Sequence, residues 1–156
     1  IRNLDQAILY PGIALLEGLT NYSVGRGTDS PFQFIGADWI NGSELADALR
    51  KRALPGVRFY ARSLTPSASH FSGKKISGVQ FSIVDRDALR PTRLGLEIAA
   101  VLLELYGPQV ALDETIKLLG NQQVADELTA GDPMPAIDKA GEEFKKRRER
   151  FLLYQP

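Results

Sequence analysis

The spacing of the apolar residues changes near the middle of this chain. In Val57–Leu64 and in residues 76–84, apolar and polar residues alternate as they do in strands, with one slip at Gly78 that predicts a β-bulge. Over Pro91–Tyr106 the apolar residues instead recur with the period of a helix. Strands in the first half and helices in the second half indicate the α+β class. We therefore predict a mixed β-sheet packed with helices, followed by a helical C-terminal half.

Shorter segments complete the predicted secondary structure. Residues 7–16 form a short apolar run that predicts a buried strand, with Pro11 at a break or an edge position, and residues 32–37 predict a second strand. Asparagine, glycine or proline residues bound four further predicted helices, over 44–54, 113–119, 122–129 and 136–153. Residues 65–75 form a long polar loop, a feature that is often functional in compact domains.

The composition excludes several classes of function. The chain has 156 residues, which suits one domain with its own core, and its 19 Lys and Arg balance its 19 Asp and Glu. A formal net charge of zero predicts no field for nucleic acid, and the basic run at 145–148 is interpreted as a solvated helix face. Without cysteine and with a single histidine, we expect no metal site and no cofactor. No apolar run reaches the ~20 residues that span a bilayer.

The run YPGIALLEGLTNYSVGRGTDSPF, at residues 10–32, predicts a loop that binds a polar ligand, because it combines four glycines with the polar side chains of Glu17, Asn21 and Arg26. Glu17 and Asn21 supply a carboxylate and an amide, which can hold hydroxyl and acetamido groups. Alternatively, Glu17 caps a turn or pairs locally with Arg26. Arg26 lies between two glycines, so its guanidinium is predicted to be free for a carboxylate or phosphate, unless it is only a surface residue of a tight turn.

Three further features are candidates for function or for structure. His70 lies in the 65–75 loop and is either a binding residue or a structural one. The run at 85–87, D-R-D, is interpreted as caps and ion pairs at a junction between a strand and a helix. Trp39 and Tyr22 could stack on a sugar ring, but core packing is the favoured interpretation for Trp39.

The run at 10–32 closely resembles the hallmark of the exo-β-N-acetylmuramidase family, glycoside hydrolase family 171, formerly domain of unknown function 1343. The usual pattern of that family is Y-P-G-x-x-L-x-E-G-T-N-x-S-x-G-R-G-T-x-x-P-F, followed by G-A-x-W-I. The chain matches it at Tyr10, Pro11, Gly12, Leu15, Glu17, Gly18, Asn21, Ser23, Gly25, Arg26, Gly27, Thr28, Pro31, Phe32, Gly36, Ala37, Trp39 and Ile40. One departure is Leu19, inserted between the E-G and T-N of the pattern. Similar short motifs at 55–59, 85–87 and 151–154 extend the resemblance over essentially the whole chain.

The resemblance implies that residues 1–156 form a single α+β domain, the C-terminal domain of a longer protein whose larger Rossmann-like N-terminal domain is missing. A chain that begins at Ile1 rather than at methionine is likewise expected to be a fragment or a processed product. The family removes N-acetylmuramic acid from the non-reducing ends of peptidoglycan fragments, in a cleft between its two domains. Peptidoglycan fragments and the N-terminal domain are therefore the expected partners, and a periplasmic or secreted location is expected.

The resemblance also implies roles for the candidate residues. The proposed catalytic glutamate of the family belongs to the N-terminal domain, so this chain alone is expected to be inactive, and Glu17 is the carboxylate that it could add to catalysis. Asn21, Arg26, Thr28 and His70 are expected to bind substrate, with the lactyl carboxylate of muramic acid as the partner of Arg26. Two other interpretations stay open: a non-catalytic carbohydrate- or protein-interaction module, and a domain that binds phosphate or nucleotide through residues 25–28.

Overall fold

Six helices and three strands make up the part of the chain that the computed structural model describes, residues 1–17, 21–110 and 113–154. In chain order they are α1 (Leu4–Ile13), β1 (Phe34–Ala37), α2 (Gly42–Lys51), β2 (Val57–Leu64), β3 (Ile76–Ile83), α3 (Pro91–Tyr106), α4 (Asp113–Leu119), α5 (Gln122–Ala130) and α6 (Met134–Arg148). Single 3-10 turns follow α1, α3 and α6, at Ala14–Leu16, Gly107–Gln109 and Glu149–Phe151. The prediction of an α+β fold is confirmed.

The three strands form a sheet in the order β1-β3-β2. Both pairs are antiparallel, so the prediction of a mixed sheet is wrong for the described residues. The predicted bulge at Gly78 is also wrong, because Gly78 pairs with Gly36 in an unbroken register. A Cβ atom at Gly78 would lie 2.0 Å from the carbonyl oxygen of Ile35. The slip in the alternation therefore marks a close approach of two strands rather than an extra residue.

The predicted strand over residues 7–16 is wrong, since this segment belongs to α1 and the 3-10 turn after it. The helix begins with a cap: Asn3 Oδ1 accepts a hydrogen bond of 2.9 Å from the backbone N–H of Gln6. Pro11 lies inside the helix instead of at a strand edge. The apolar run is buried through Leu9, Ile13 and Leu16, all at most 1% exposed, so its burial was predicted correctly while its backbone was not.

Helix α3 packs across α1 at a pair of glycines. A Cβ atom on Gly95 of α3 would lie 2.2 Å from the carbonyl oxygen of Gly12 in α1, and one on Gly12 would lie 1.8 Å from the carbonyl oxygen of Pro91. The two backbones can approach this closely because neither residue has a side chain. Since α1 leads directly to Glu17, the crossing fixes where the candidate site begins.

Helix α5 packs against α3, and α6 packs against α5 before it leaves the core. Helix α6 buries only Met134 and Ala136 fully, and the basic run at 145–148 is exposed, as predicted for a solvated face. Among the described residues, no helix combines the length and the apolar character needed to cross a bilayer. The predicted capping before α3 is present, because Asp85 Oδ1 accepts bonds of 2.9 and 3.1 Å from the backbone N–H groups of Asp87 and Ala88. The ion pair of Arg86 is made outside the junction, with Asp5 of α1 at 2.8 Å.

Candidate functional site

The glycines on both sides of Arg26 are required by the backbone of the loop that carries it. Gly25 has φ +83° and Gly27 has φ +78°, a region that side chains other than glycine rarely adopt. Thr28 closes the turn: its Oγ1 donates to the carbonyl of Gly25 at 2.7 Å and accepts from the backbone N–H of Ser30 at 3.0 Å. Thr28, predicted as a binding residue, therefore has its hydroxyl committed to the shape of the loop.

The loop between β2 and β3, which carries His70, is attached to this turn. The carbonyl of Gly27 accepts bonds from the backbone N–H and the hydroxyl of Ser67, at 2.8 and 3.0 Å. A Cβ atom on Gly27 would lie 2.3 Å from the carbonyl oxygen of Ala68. The long loop that the sequence singled out is thus held against the glycine-rich run by backbone contacts that only glycine permits.

Three of the predicted residues, Glu17, Arg26 and His70, come together around one cavity of about 50 Å³. They arrive from the end of the 3-10 turn after α1, from the glycine-rich turn, and from the β2–β3 loop. Tyr22, named from the sequence as an aromatic that could stack on a sugar, also lines the cavity. Sequence reasoning gave no role to the remaining lining residues, which are Ser23, Val24, Ser69 and Phe71. The backbone of Ser69 gives one signal that the sequence did not carry, because its φ of +71° is unusual for a residue with a side chain.

Arg26 is not free, and the prediction of an unpaired guanidinium is wrong. Its Nε donates to Glu17 Oε1 in an ion pair, which is the local pairing that the sequence left open. The guanidinium carbon also lies 5.1 Å from the centre of the Phe32 ring, and Tyr10 packs edge-on against the same ring at 4.8 Å. Within the described part of the chain, Nη1 and Nη2 of Arg26 have no hydrogen-bond partner, so that end of the side chain can still bind a ligand.

Asn21 lies apart from the cavity. The side-chain Nδ2 of Asn21 donates to the backbone carbonyl oxygen of Gln109. The backbone carbonyl of Asn21 accepts a bond of 2.7 Å from Trp39 Nε1. Trp39 in turn packs edge-on against Tyr106, and burial raises the pKa of that tyrosine above its ordinary value of 10.0. The Asn21 Oδ1 atom is buried and has no partner among the described residues.

The pairing of Glu17 with Asn21 as joint ligand groups is therefore not visible in this structure. The inserted Leu19, which the sequence comparison singled out, lies outside the described residues together with Gly18 and Thr20. Trp39 has its ring nitrogen bonded and its ring packed, which agrees with the favoured interpretation of a packing residue.

A wider groove of about 650 Å³ opens on the other side of Arg26. Arg2, Arg26 and Arg62 line it, together with the hydroxyl groups of Thr28, Thr65 and Ser67 and the carboxylate of Asp29. A third concavity, of about 780 Å³ between the end of α2 and the start of β2, contains none of the predicted residues. In residues 1–17, 21–110 and 113–154 no cluster of His, Asp and Glu is arranged to hold a metal ion.

Comparison with known proteins shows the family to which this chain belongs. The family model described as the C-terminal part of the exo-beta-N-acetylmuramidase NamZ matches residues 8–154. This chain belongs to the NamZ C-terminal family. The resemblance predicted from the glycine-rich run is thereby confirmed.

Among relatives of known name, the peptidoglycan beta-N-acetylmuramidase NamZ of Bacillus subtilis is 35% identical over 158 aligned positions, which cover 97% of this chain and 38% of that protein. The NamZ C-terminal family member described here thus spans about two fifths of the length of its relative. Two crystal structures of DUF1343 family proteins from Bacteroides fragilis share the fold. Their TM-scores are 0.74 and 0.67 at 24% and 25% identity, and each match covers 96% or more of this chain and 42% of the other.

Proposed function

We propose that this chain is the C-terminal, cleft-forming part of a peptidoglycan exo-β-N-acetylmuramidase, which releases N-acetylmuramic acid from the non-reducing ends of peptidoglycan fragments. The observation that carries the proposal is the meeting of Glu17, Arg26 and His70 in one small cavity, in a chain of the NamZ C-terminal family. The name of the Bacillus subtilis relative, a peptidoglycan beta-N-acetylmuramidase, supports the substrate class.

The size of the cavity and the unpaired end of the Arg26 guanidinium suit a small acidic group. A volume of about 50 Å³ holds a carboxylate but not a sugar ring. The unpaired Nη1 and Nη2 atoms of Arg26 can donate two parallel hydrogen bonds to such a group. N-acetylmuramic acid differs from N-acetylglucosamine by a lactyl ether with a carboxylate. Arg26 would therefore bind the group that distinguishes the two sugars.

Glu17 would act in its ionised form. Its ion pair with Arg26 favours the carboxylate, which cannot donate a proton to a leaving group. A carboxylate at this place can accept a hydrogen bond from a sugar hydroxyl or stabilise the positive charge that develops on a sugar ring during glycoside cleavage. His70, exposed on its loop, also lines the cavity and would contribute a hydrogen bond to the ligand.

The proposal includes a second domain. Glycoside hydrolysis generally uses two carboxylates on opposite sides of the scissile bond. Glu17 is the one carboxylate among the described residues that line the cavity, so the second would come from elsewhere. We propose that a Rossmann-like N-terminal domain in the longer protein supplies the main catalytic carboxylate and the other wall of the cleft.

The test is hydrolysis of 4-nitrophenyl N-acetyl-β-muramide by the intact protein, with the matching N-acetylglucosaminide as a control that lacks the lactyl group. We expect release from the muramide, a rate at least about a hundredfold lower for Glu17→Gln, and a KM about tenfold higher for Arg26→Gln. Unchanged turnover by Glu17→Gln removes Glu17 from the chemistry.

A titration of this chain with N-acetylmuramic acid, followed by NMR amide shifts, separates catalysis from binding. Shifts around the glycine-rich turn together with a complete absence of hydrolysis by the intact protein would favour the non-catalytic carbohydrate module instead. Shifts of equal size with N-acetylglucosamine would contradict the role given to Arg26.

A further inference from the structure

The arginines that line the wide groove differ in their ion pairs. Arg2 pairs with Asp29, and Arg26 pairs with Glu17. Arg62 has no carboxylate partner among the described residues: its Nη1 donates to two neutral oxygens, Gln80 Oε1 at 2.8 Å and Ser30 Oγ at 3.3 Å. The side chains of this groove therefore carry one positive charge that nothing in the described structure balances.

The two hydrogen bonds of Arg62 also leave a particular edge of its guanidinium open. Both use Nη1, so Nε and Nη2 have no partner in the described part of the chain. Nε and Nη2 form one edge of the guanidinium, and the two parallel N–H bonds along that edge can hold both oxygens of one carboxylate. Gln80 and Ser30 fix the plane of the group from the other side, so the open edge is held in place before a ligand arrives.

The groove and the small cavity adjoin at Arg26, which lines both of them. The cavity can take one acidic substituent, whereas about 650 Å³ is in the range of sites that hold ligands of several rings. The hydroxyl group of Thr65 offers the neutral hydrogen bonds that a sugar chain uses, and the Ser67 hydroxyl, which donates to Gly27, can still accept one. A glycan whose terminal residue sits at Arg26 would continue along this groove toward Arg62.

We propose that the groove binds the next stretch of the glycan and that Arg62 holds the lactyl carboxylate of the second muramic residue along it. This inference rests on the proposed function. N-acetylglucosamine and N-acetylmuramic acid alternate in peptidoglycan, so a trisaccharide with a muramic residue at each end carries a second carboxylate beyond the first. One unbalanced positive charge matches one carboxylate, whereas a phosphate dianion would leave the groove negative.

The experiment compares three probes on the intact protein. They are the disaccharide of N-acetylmuramic acid and N-acetylglucosamine, the trisaccharide that ends in a second N-acetylmuramic acid, and the same trisaccharide with that second carboxylate converted to an amide. The acidic trisaccharide is expected to show a Kd about tenfold lower than either of the others, by calorimetry, and a correspondingly higher kcat/KM for release of the terminal sugar. Arg62→Gln is expected to remove this preference and to leave the disaccharide unchanged.

Arg58→Gln is the matched control, since Arg58 lies on the same strand and the same face four residues away but lines a different concavity. It is expected to keep the preference for the acidic trisaccharide. The inference is overturned if Arg62→Gln keeps that preference, if the amide binds as tightly as the acid, or if no probe binds. Absence of hydrolysis with every probe refutes the proposed enzyme, while the ratio of Kd values still decides the role of the groove.

Discussion

Replacing Gly95 by alanine tests whether the crossing of α1 and α3 holds the candidate site in place. The new Cβ atom would lie 2.2 Å from the carbonyl oxygen of Gly12 and 3.0 Å from its Cα, and both are backbone atoms that cannot rotate away. The shortest ordinary distance between a carbon and an oxygen atom in contact is ~3.3 Å, so the two helices must separate by about 1 Å. A gap of that size removes roughly a third of the dispersion energy of the side chains across it.

The energetic cost follows from the apolar residues that α1 and the 3-10 turn after it bury. Leu9, Ile13 and Leu16 are each at most 1% exposed, and burial of such a side chain contributes about 1.5–3 kcal/mol. Losing a third to a half of this over three side chains costs roughly 3 kcal/mol, and the higher helix propensity of alanine returns about 1 kcal/mol. We therefore expect Gly95→Ala to lower the free energy of unfolding by about 2 kcal/mol, or the urea midpoint by ~1 M.

The assay is urea unfolding followed by circular dichroism, with Gly141→Ala as the matched variant. Gly141 also lies inside a helix, but a Cβ atom there would meet nothing within 4 Å. The same substitution should therefore raise the free energy of unfolding by up to about 1 kcal/mol. If both variants are stabilised, the glycine contact does not hold the helices together and the reasoning is refuted.

Three further predictions concern the local structure. Asn41→Ala removes the side chain that accepts bonds of 3.1 and 3.3 Å from the first turn of α2, and should cost about 1 kcal/mol in urea unfolding; no loss would contradict the cap. Thr28→Val removes both hydroxyl bonds of the glycine-rich turn, and should broaden the NMR amide signals of residues 25–30 while leaving α5 unchanged. Burial raises the pKa of Tyr106 above 10.0, so the unfolded chain loses that proton first and stability falls as pH rises above 10.0. Tyr106→Phe should make that alkaline fall shallower, measured by thermal unfolding between about pH 9 and 11, and an unchanged slope would argue against it.

The elements that the sequence predicted well are those whose pattern differs between helix and strand. Helix α3 has the bounds predicted, Pro91–Tyr106, because its apolar residues recur with a helical period behind an N-terminal proline. Helix α1 was predicted as a strand, because periodicity cannot distinguish a strand from a helix in a short run that is apolar on all sides. One signal could have decided it: Asn3 stands three residues before Gln6, the spacing of a helix cap.

The candidate site, too, was predictable only where its contacts are local in the sequence. That Glu17 could pair with Arg26 was predictable from spacing within one loop. That His70 meets them depends on the contact of Gly27 with Ala68, which joins two segments about forty residues apart and has no sequence signature of its own. The direction of the Asn21 side chain, toward Gln109, was likewise set by the packing of distant segments.

The strand order has a consequence for the sequence in which the domain can form. β3 is central, and neither β1 nor β2 pairs with the other, so a nascent chain that stops before Ile76 has no completed strand pair. The β2–β3 hairpin, which encloses His70, is a local contact and can close early. The pairing of β1 with β3 spans a longer separation, and the bridge of Ser23 to Gly36 ties the glycine-rich turn to β1. During synthesis Glu17, Arg26 and Phe32 emerge first, so the contacts of Arg26 can form before His70 reaches the cavity.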